Sequence, residues 1–364
     1  MVLLVLLVPG WSYERALTSP GSAGWEDRSV GWFADHGGQR IVRRVEQWYY
    51  THNAPSTLPD APPDTPSPTL PAPVAATLSV LGPAGPPPSA PAPVVTHFPV
   101  PMPGEGHWAA TGRSVGGRST VLATAFRPDP VHPGVVVGAA WMDTSLVKPV
   151  LVPGVKDFGS GWAWGGAIPM SARPTLVAAF NSGFRPVDTK GGLYSEGRMA
   201  RSLVDGQASL VIATDGTATV GMWGRDATMS PDVASVRQNL ELIVDGGVAA
   251  PGLAANADGS WGTRRQQYQY TWRSGLGVTA DGALVYVAGA DLTLTALAAA
   301  LVDVGAVRAM QLDIHDNKDT FNIYDPAPGS ADGVTAYKLL DDMQRPATRY
   351  LNPDQRDFVA ITLR

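Results

Sequence analysis

The segment Met310–Phe321, MQLDIHDNKDTF, carries Asp313, His315, Asp316, Asn317, Lys318 and Asp319 directly behind an apolar run. Three kinds of chemistry use such residues. Asp313, His315 and Asp316 are ligand types for a divalent ion. A carboxylate held at the end of a strand can act as a base or stabilise a developing cation. A polar turn would need no chemistry at all. The spacing matches neither an EF-hand loop nor a zinc signature. In an extended chain, adjacent side chains also point to opposite faces, which counts against one ion shared by all three residues.

Three further clusters place polar groups at the ends of β-type runs. In AAFNSGFRP a strand ends on Asn181, and Ser182-Gly183 allow a tight turn before Phe184. Such an Asn either closes the strand as an Asx-turn or orients a ligand hydroxyl, while the turn's backbone N–H groups face an anion. GGLYSEGRMARS brings Glu196, Arg198 and Arg201 within six positions of one another. Exposed charges of this kind usually form a solvated loop with a weak ion pair. In YTWRSGLGV, Arg273 precedes a strand holding Gly275 and Gly277. Those glycines are too few and wrongly spaced for a dinucleotide fingerprint.

These clusters need a scaffold, and the sequence points to α+β: a mixed, hairpin-rich sheet packed with a few helices. All six Asp-Gly dipeptides lie between Asp205 and Gly333. Asp-Gly favours type I′ hairpins, whose two central residues take positive φ, so SLVIATDGTATVGMW and GLGVTADGALVYVAG are predicted hairpins. DLTLTALAAALVDVG reads as a helix capped by Asp291 or Thr293, with Leu294, Leu297, Ala298, Leu301 and Val302 apolar and Gly305 at its end. AVRAMQL then reads as a buried strand ending at Asp313, and the C-terminal RYLNPDQRDFVAITLR as a loop plus a final strand.

Outside this body the character changes. Residues 1–10 begin with an apolar run, Met1 to Val8, too short for the ~20 residues that span a bilayer. The expected reading is the tail of a membrane anchor or signal. Residues 11–52 form a juxtamembrane segment in which Ile41, Val42, Val45, Trp48 and Tyr49 recur at helical spacing. Residues 53–101 are a Pro-rich linker: seventeen of the 33 prolines fall between Pro55 and Pro103, which predicts an extended spacer. Residues 102–364 are the globular domain. A net charge of −5 argues against a nucleic-acid partner, and the absence of cysteine excludes disulfides, thiolate zinc sites and a Cys nucleophile.

The order of the clusters resembles the phosphodiester glycosidase family, whose animal member removes the N-acetylglucosamine cap from mannose-6-phosphate markers. Asn181-Ser182-Gly183-Phe184 is similar to its NGGFF-like motif. Arg273-Ser274-Gly275-Leu276-Gly277-Val278, with Asp281-Gly282, is similar to its Arg–Thr/Ser hairpin. Leu292 through Asp313 matches its helix–strand run. One departure stands out: after the strand-ending Asp the family usually reads GGGSS, and here Ile314 to Phe321 read IHDNKDTF.

The resemblance implies an extracytoplasmic hydrolase that cleaves the sugar C1–O bond of a carbohydrate phosphodiester, with no required cofactor. The departing phosphate is already a stable anion, so the site needs cations and N–H donors for it and a carboxylate for the oxocarbenium-like centre. Asp313, Glu196 and Asn181 would be catalytic; Arg273, Arg198, Arg201, Ser182, Gly183, Gly277 and His315 would bind substrate or phosphate. The membrane would be engaged through the N-terminal segment. The rival readings are a non-catalytic glycan-binding surface module and a metal-dependent phosphodiesterase using a divalent cation at Asp313, His315 and Asp316.

Overall fold

The computed structural model describes residues 2–52, 54–57, 70–75, 86–262 and 270–364. Its strands, in chain order, are β1 (Val74–Ala75), β2 (Ala109–Val115), β3 (Arg118–Phe126), β4 (Val137–Met142), β5 (Val147–Val152), β6 (Leu176–Asn181), β7 (Leu193–Ser195), β8 (Arg198–Arg201), β9 (Ala208–Ala213), β10 (Ala218–Met222), β11 (Val233–Gln238), β12 (Leu242–Asp245), β13 (Val248–Ala249), β14 (Thr271–Thr279), β15 (Leu284–Leu292), β16 (Ala306–Ile314), β17 (Phe321–Pro326), β18 (Val334–Lys338) and β19 (Phe358–Leu363). The α-helices are α1 (Val2–Leu17), α2 (Trp25–Phe33), α3 (Gln39–His52) and α4 (Leu294–Asp303).

The strands form a nine-stranded sheet ordered β1-β2-β3-β4-β15-β14-β16-β12-β13 and two five-stranded sheets, β10-β9-β11-β7-β8 and β18-β17-β6-β19-β5. The large sheet is buried on both faces, and alternation decides which residue goes where. From β4, Ala140 and Met142 face the two small sheets, while Val137, Ala139 and Trp141 face the other way. From β15, Leu284, Tyr286 and Ala288 take the first side and Val285 and Val287 the second. On that second side lies α4, whose Leu294, Leu297 and Leu301 are buried.

The α+β class holds, but the sheet is less mixed than expected. Every pairing between strands is antiparallel except the short β1–β2 pair. The reason is the α4 crossover: it carries the chain from β15 over β14 to β16, so the two strands that run in parallel are separated by β14 and never share hydrogen bonds. Thr293 is the N-cap, its hydroxyl accepting from Ala296 N at 3.2 Å, and Gly305 follows the helix end at φ 87°.

Both predicted hairpins form, with a different turn. Gly216 N donates to Ala213 O and Gly282 N to Thr279 O, and within each Asp-Gly only the glycine has positive φ, 81° and 90°. The pattern is a type I turn followed by one left-handed residue. The turn with two positive φ values is Gly246-Gly247, at 62° and 77°, between β12 and β13. Two glycines reach that conformation more cheaply than an Asp and a glycine.

The predicted N-terminal helix appears as α3, and Ile41, Val45, Trp48 and Tyr49 on its apolar stripe are exposed. Among the described residues no helix is long and apolar enough to cross a membrane. Of the Pro-rich segment, residues 53, 58–69 and 76–85 lie outside the described residues. The described parts lie on the body: Val74–Ala75 pairs with β2, Ser89 N donates to Asp281 at 2.7 Å, and Val94 N donates to Gly106 O at 2.9 Å.

Leu297 is fully buried under α4, so Leu297→Ala should cost about 3 kcal/mol. Thr293→Ala should cost about 1 kcal/mol. Urea denaturation of the two variants checks the order; equal losses would mean that capping, not packing, holds α4 to the sheet.

Candidate active site

The ends of β14 and β16, the turn after β6, the loop after β5 and the stretch before β19 surround a cavity of about 970 Å³. Helices α1 and α2, the kinked link at His36–Gly37 and the start of α3 form its opposite wall.

Asp313 stands on its floor, one residue before β16 ends. Its amide N donates to Ser182 O at 2.9 Å, so the turn after β6 fixes the backbone. Its Oδ1 accepts from Ile314 N at 3.1 Å and its Oδ2 from Arg356 at 2.9 Å. The Arg356 guanidinium also donates to Gly183 O at 3.0 Å and to Asp157 Oδ2 at 2.8 Å. Two carboxylates, Asp313 and Asp157, are thus held on one guanidinium, and all three groups line the cavity. Burial works against the charge on Arg356, but Asp313, Asp157 and Asp357 outweigh it and hold its pKa above the ordinary value. Burial lifts Asp157 above the usual carboxylate range, with Arg356 pulling the other way.

Arg356 is itself anchored through its neighbours along the chain. Its N–H donates to Asp354 Oδ1 at 2.9 Å, and Asp354 accepts two bonds from Arg349, at 2.7 and 3.3 Å. Asp357 accepts from Arg237 at 2.7 and 3.3 Å, and that guanidinium also donates to Phe184 O at 2.6 Å. These pairs are buried, so removing one partner would strand a charge, at a cost of about 3–5 kcal/mol.

After β16 the chain reverses at His315, which has φ 90°. Positive φ is unusual for a residue with a β-carbon. Here a residue with a side chain takes a glycine-type backbone conformation. Lys318 N and Asp319 N both donate to His315 O, at 2.9 and 3.3 Å. Arg349 donates to Lys318 O at 2.8 Å and Arg345 to Asn317 O at 3.0 Å. The loop is a pinned turn, with His315, Asp316, Asn317 and Lys318 on the cavity wall. Burial brings the Lys318 ammonium down to about 8, with Asp313 opposing and three arginines reinforcing the shift.

Arg273 also lines the cavity; its Nε donates to Leu292 O at 2.7 Å and burial lowers its pKa to about 10. Asn181 does not line it. Its amide donates to Ser274 Oγ at 2.9 Å and its Oδ1 accepts from Tyr286 and Thr320, at 2.9 and 3.1 Å. The Ser274 hydroxyl lies 3.0 Å from Asp313 O and 2.8 Å from Asp319 Oδ1. Asn181 therefore braces the strand that carries Asp313 from behind and orients no sugar hydroxyl. Asp319 is fully buried, and burial raises its pKa well above the ordinary value.

The other expected residues lie elsewhere. Glu196 is exposed at the β7–β8 turn, with φ 52°, accepting from Ala163 N at 3.0 Å. Arg198 stacks 3.5 Å over the Trp162 ring, and Arg201 donates to Pro186 O. Both lie on β8 in a small sheet, Arg198 exposed and Arg201 half-buried. Gly277 is mid-strand, and a β-carbon there would come within 2.7 Å of Ala306, so its role is close strand packing. Ser182 and Gly183 face the site through backbone carbonyls, Ser182 O accepting from Asp313 N and Gly183 O from Arg356, while Ser182 N donates to Asp357 O. Among the described residues no three His, Asp or Glu side chains gather as a metal site, and the Asp313–His315–Asp316 trio does not converge.

Sequence reasoning missed Arg356, Asp157 and Lys318. The first two are separated by about half the chain, and only the dense charge in RYLNPDQRDF hinted at a role.

The roof is held by charge. Asp35 accepts from Lys156 at 2.7 Å and Arg185 at 3.2 Å, and Asp27 pairs with Arg345 at 3.1 Å. Gln355 donates to Ser19 Oγ at 2.6 Å.

Comparison with known proteins bears on this site. Residues 174–313 match the phosphodiester glycosidase family model, a stretch that runs from just before β6 to Asp313. The chain is similar to the zebrafish N-acetylglucosamine-1-phosphodiester alpha-N-acetylglucosaminidase catalytic domain auto-inhibited by pro-peptide, with 14% identity over 70% of this chain and 87% of that one, at TM-score 0.44. It is also similar to a hypothetical protein from Synechocystis, with 12% identity over 70% of this chain and 64% of that one, at TM-score 0.42. Less than two thirds of the Synechocystis chain is therefore covered. No curated protein matches the chain.

The raised pKa of Asp319 sets a pH dependence. The folded state holds this proton more tightly than the unfolded state, so stability is greatest below the unfolded value near ~4 and falls as pH rises above it. Asp319→Asn should remove that loss. Its melting temperature relative to wild type should climb between pH 5 and pH 8; a difference that stays constant with pH would show that Asp319 is ionised in the fold.

Proposed function

We propose that this protein, whose residues 174–313 are of the phosphodiester glycosidase family, is a glycoside hydrolase that cleaves the sugar C1–O bond of a carbohydrate phosphodiester. The observation that carries this reading is the pair of carboxylates, Asp313 and Asp157, held on the Arg356 guanidinium at the cavity floor. Glycoside hydrolysis uses two carboxylates around an oxocarbenium-like centre. Asp313, already salt-bridged, suits the stabilisation of positive charge at the anomeric carbon. Asp157, with its raised pKa, suits proton exchange with the incoming water.

The leaving phosphate needs no general acid, but its charge needs cations in a water-poor setting. Arg273, Lys156 and Arg185 line the same cavity. Two of these already face an anion: Asp35 of the roof occupies Lys156 and Arg185. The proposed place of action is extracytoplasmic, with the N-terminal segment, including the exposed stripe of α3, set against a membrane surface.

The full chain incubated with an α-N-acetylglucosaminyl phosphodiester in labelled water should place label in the free sugar, with or without EDTA. Asp313→Asn should lower kcat at least ~100-fold while circular dichroism stays unchanged. Label in the phosphate, lost on chelation, would make the protein a metal-dependent phosphodiesterase. Sugar binding without turnover would make it a glycan-binding module.

A further inference from the structure

We propose that Lys318, in the turn that follows β16, is the cation that grips the substrate's phosphodiester monoanion. This rests on the reading of the cavity as a sugar-phosphodiester site and names the group that receives the phosphate.

The first observation is availability. Lys318 lines the cavity, and among the described residues its ammonium has no salt bridge or hydrogen-bond partner. Its cationic neighbours are committed: Arg356 to Asp313 and Asp157, Arg185 to Asp188 and Asp35, Lys156 to Asp35. The second is preorganisation. Bonds from Lys318 N to His315 O and from Arg349 to Lys318 O fix the backbone on both sides of the Cα, so only the side chain must adjust to a ligand. The third is the field. Burial weakens the charge on Lys318, Arg356, Arg349 and Arg345 from the stretch before β19 add their repulsion to it, and Asp313 from β16 opposes them. Across the cavity stand Asp27 and His36 of the roof. An incoming monoanion gives the Lys318 ammonium an ionic partner among cations already paired: Arg345 with Asp27, Arg349 with Asp354, and Arg356 with Asp313 and Asp157.

Chemically, two kinds of loop can receive an anion. A glycine run presents backbone N–H groups to an anion. The IHDNKDTF loop turns its backbone into a pinned reversal and presents an ammonium instead. The depressed proton affinity of Lys318 places its loss of charge near pH 8, which gives the binding a signature.

Dimethyl phosphate stays monoanionic across the neutral and alkaline range, so its binding to the full chain, followed by phosphorus NMR, reports only on the protein. Wild type should bind it with an affinity that falls as pH rises from 7 to 9. Lys318→Met should weaken binding at pH 7 about tenfold and flatten the pH dependence, and Lys318→Arg should restore binding and move the fall beyond pH 9. Binding to Lys318→Met as tight as to wild type, or wild-type binding that ignores pH, overturns the proposal. If the methionine variant does not fold, acetic anhydride labelling of wild type decides: dimethyl phosphate should slow modification of Lys318, and an unchanged rate overturns the proposal. Turnover separates this proposal from the reading it rests on, because pH-dependent diester binding by a wild type that never hydrolyses a sugar phosphodiester would sink the hydrolase and leave the Lys318 site standing.

Discussion

The contact between Arg356 and Asp313 is the constraint around which the site is built. A guanidinium in a poorly solvated setting needs partners on several sides, and here it finds Asp313, Asp157 and the carbonyl of Gly183. Each belongs to a different part of the chain, so one side chain fixes the relative positions of the end of β16, the loop after β5 and the turn after β6. The neighbouring pairs Arg349–Asp354 and Arg237–Asp357 fix the stretch that carries Arg356 itself. Such networks gain little over an apolar core in stability, but they specify geometry, because each charge has one low-energy arrangement.

The same electrostatics explain the N-terminal wall. Helices α2 and α3 bury little against the body; α2 has no buried residue. What joins this N-terminal stretch to it is largely polar: Asp27 of α2 with Arg345, Asp35 of the link with Lys156 and Arg185, and Ser19 with Gln355. Partly exposed ion pairs are individually weak. This wall is therefore held far less firmly than the floor, a difference suited to a cover that yields while the site beneath it stays rigid.

Much of the scaffold was legible in the sequence because it obeys local rules. The cap at Thr293, the apolar stripe from Leu294 to Leu301 and the glycine at 305 announce α4, and Asp-Gly between alternating runs announces two hairpins. The turn type was misread because Asp-Gly also serves a type I turn with one left-handed residue, and local sequence does not separate the two. The candidate site was only partly legible. Asp313 and Arg273 stand out as polar groups breaking apolar strands, and both line the cavity. Asn181 gave the same signal but turns into the buried network with Ser274 and Tyr286, because a residue at a strand end can face either way. Glu196, Arg198 and Arg201 looked like a cluster only along the chain. Arg356 and Asp157 could not be paired from the sequence, since nothing local ties a loop after β5 to the approach to β19.

The placement of the last strand bears on how the chain matures. Strand β19 lies between β6 and β5, and β5 has no other neighbour in its sheet. During synthesis β5 emerges more than 200 residues before its partner, and β6 waits nearly as long for one of its two. Unpaired strand edges of this kind invite pairing with other chains. Nascent copies of this protein are thus expected to need shielding by a chaperone until the last strand arrives, and to show slow refolding in dilute solution, where that late, long-range closure must be found by diffusion.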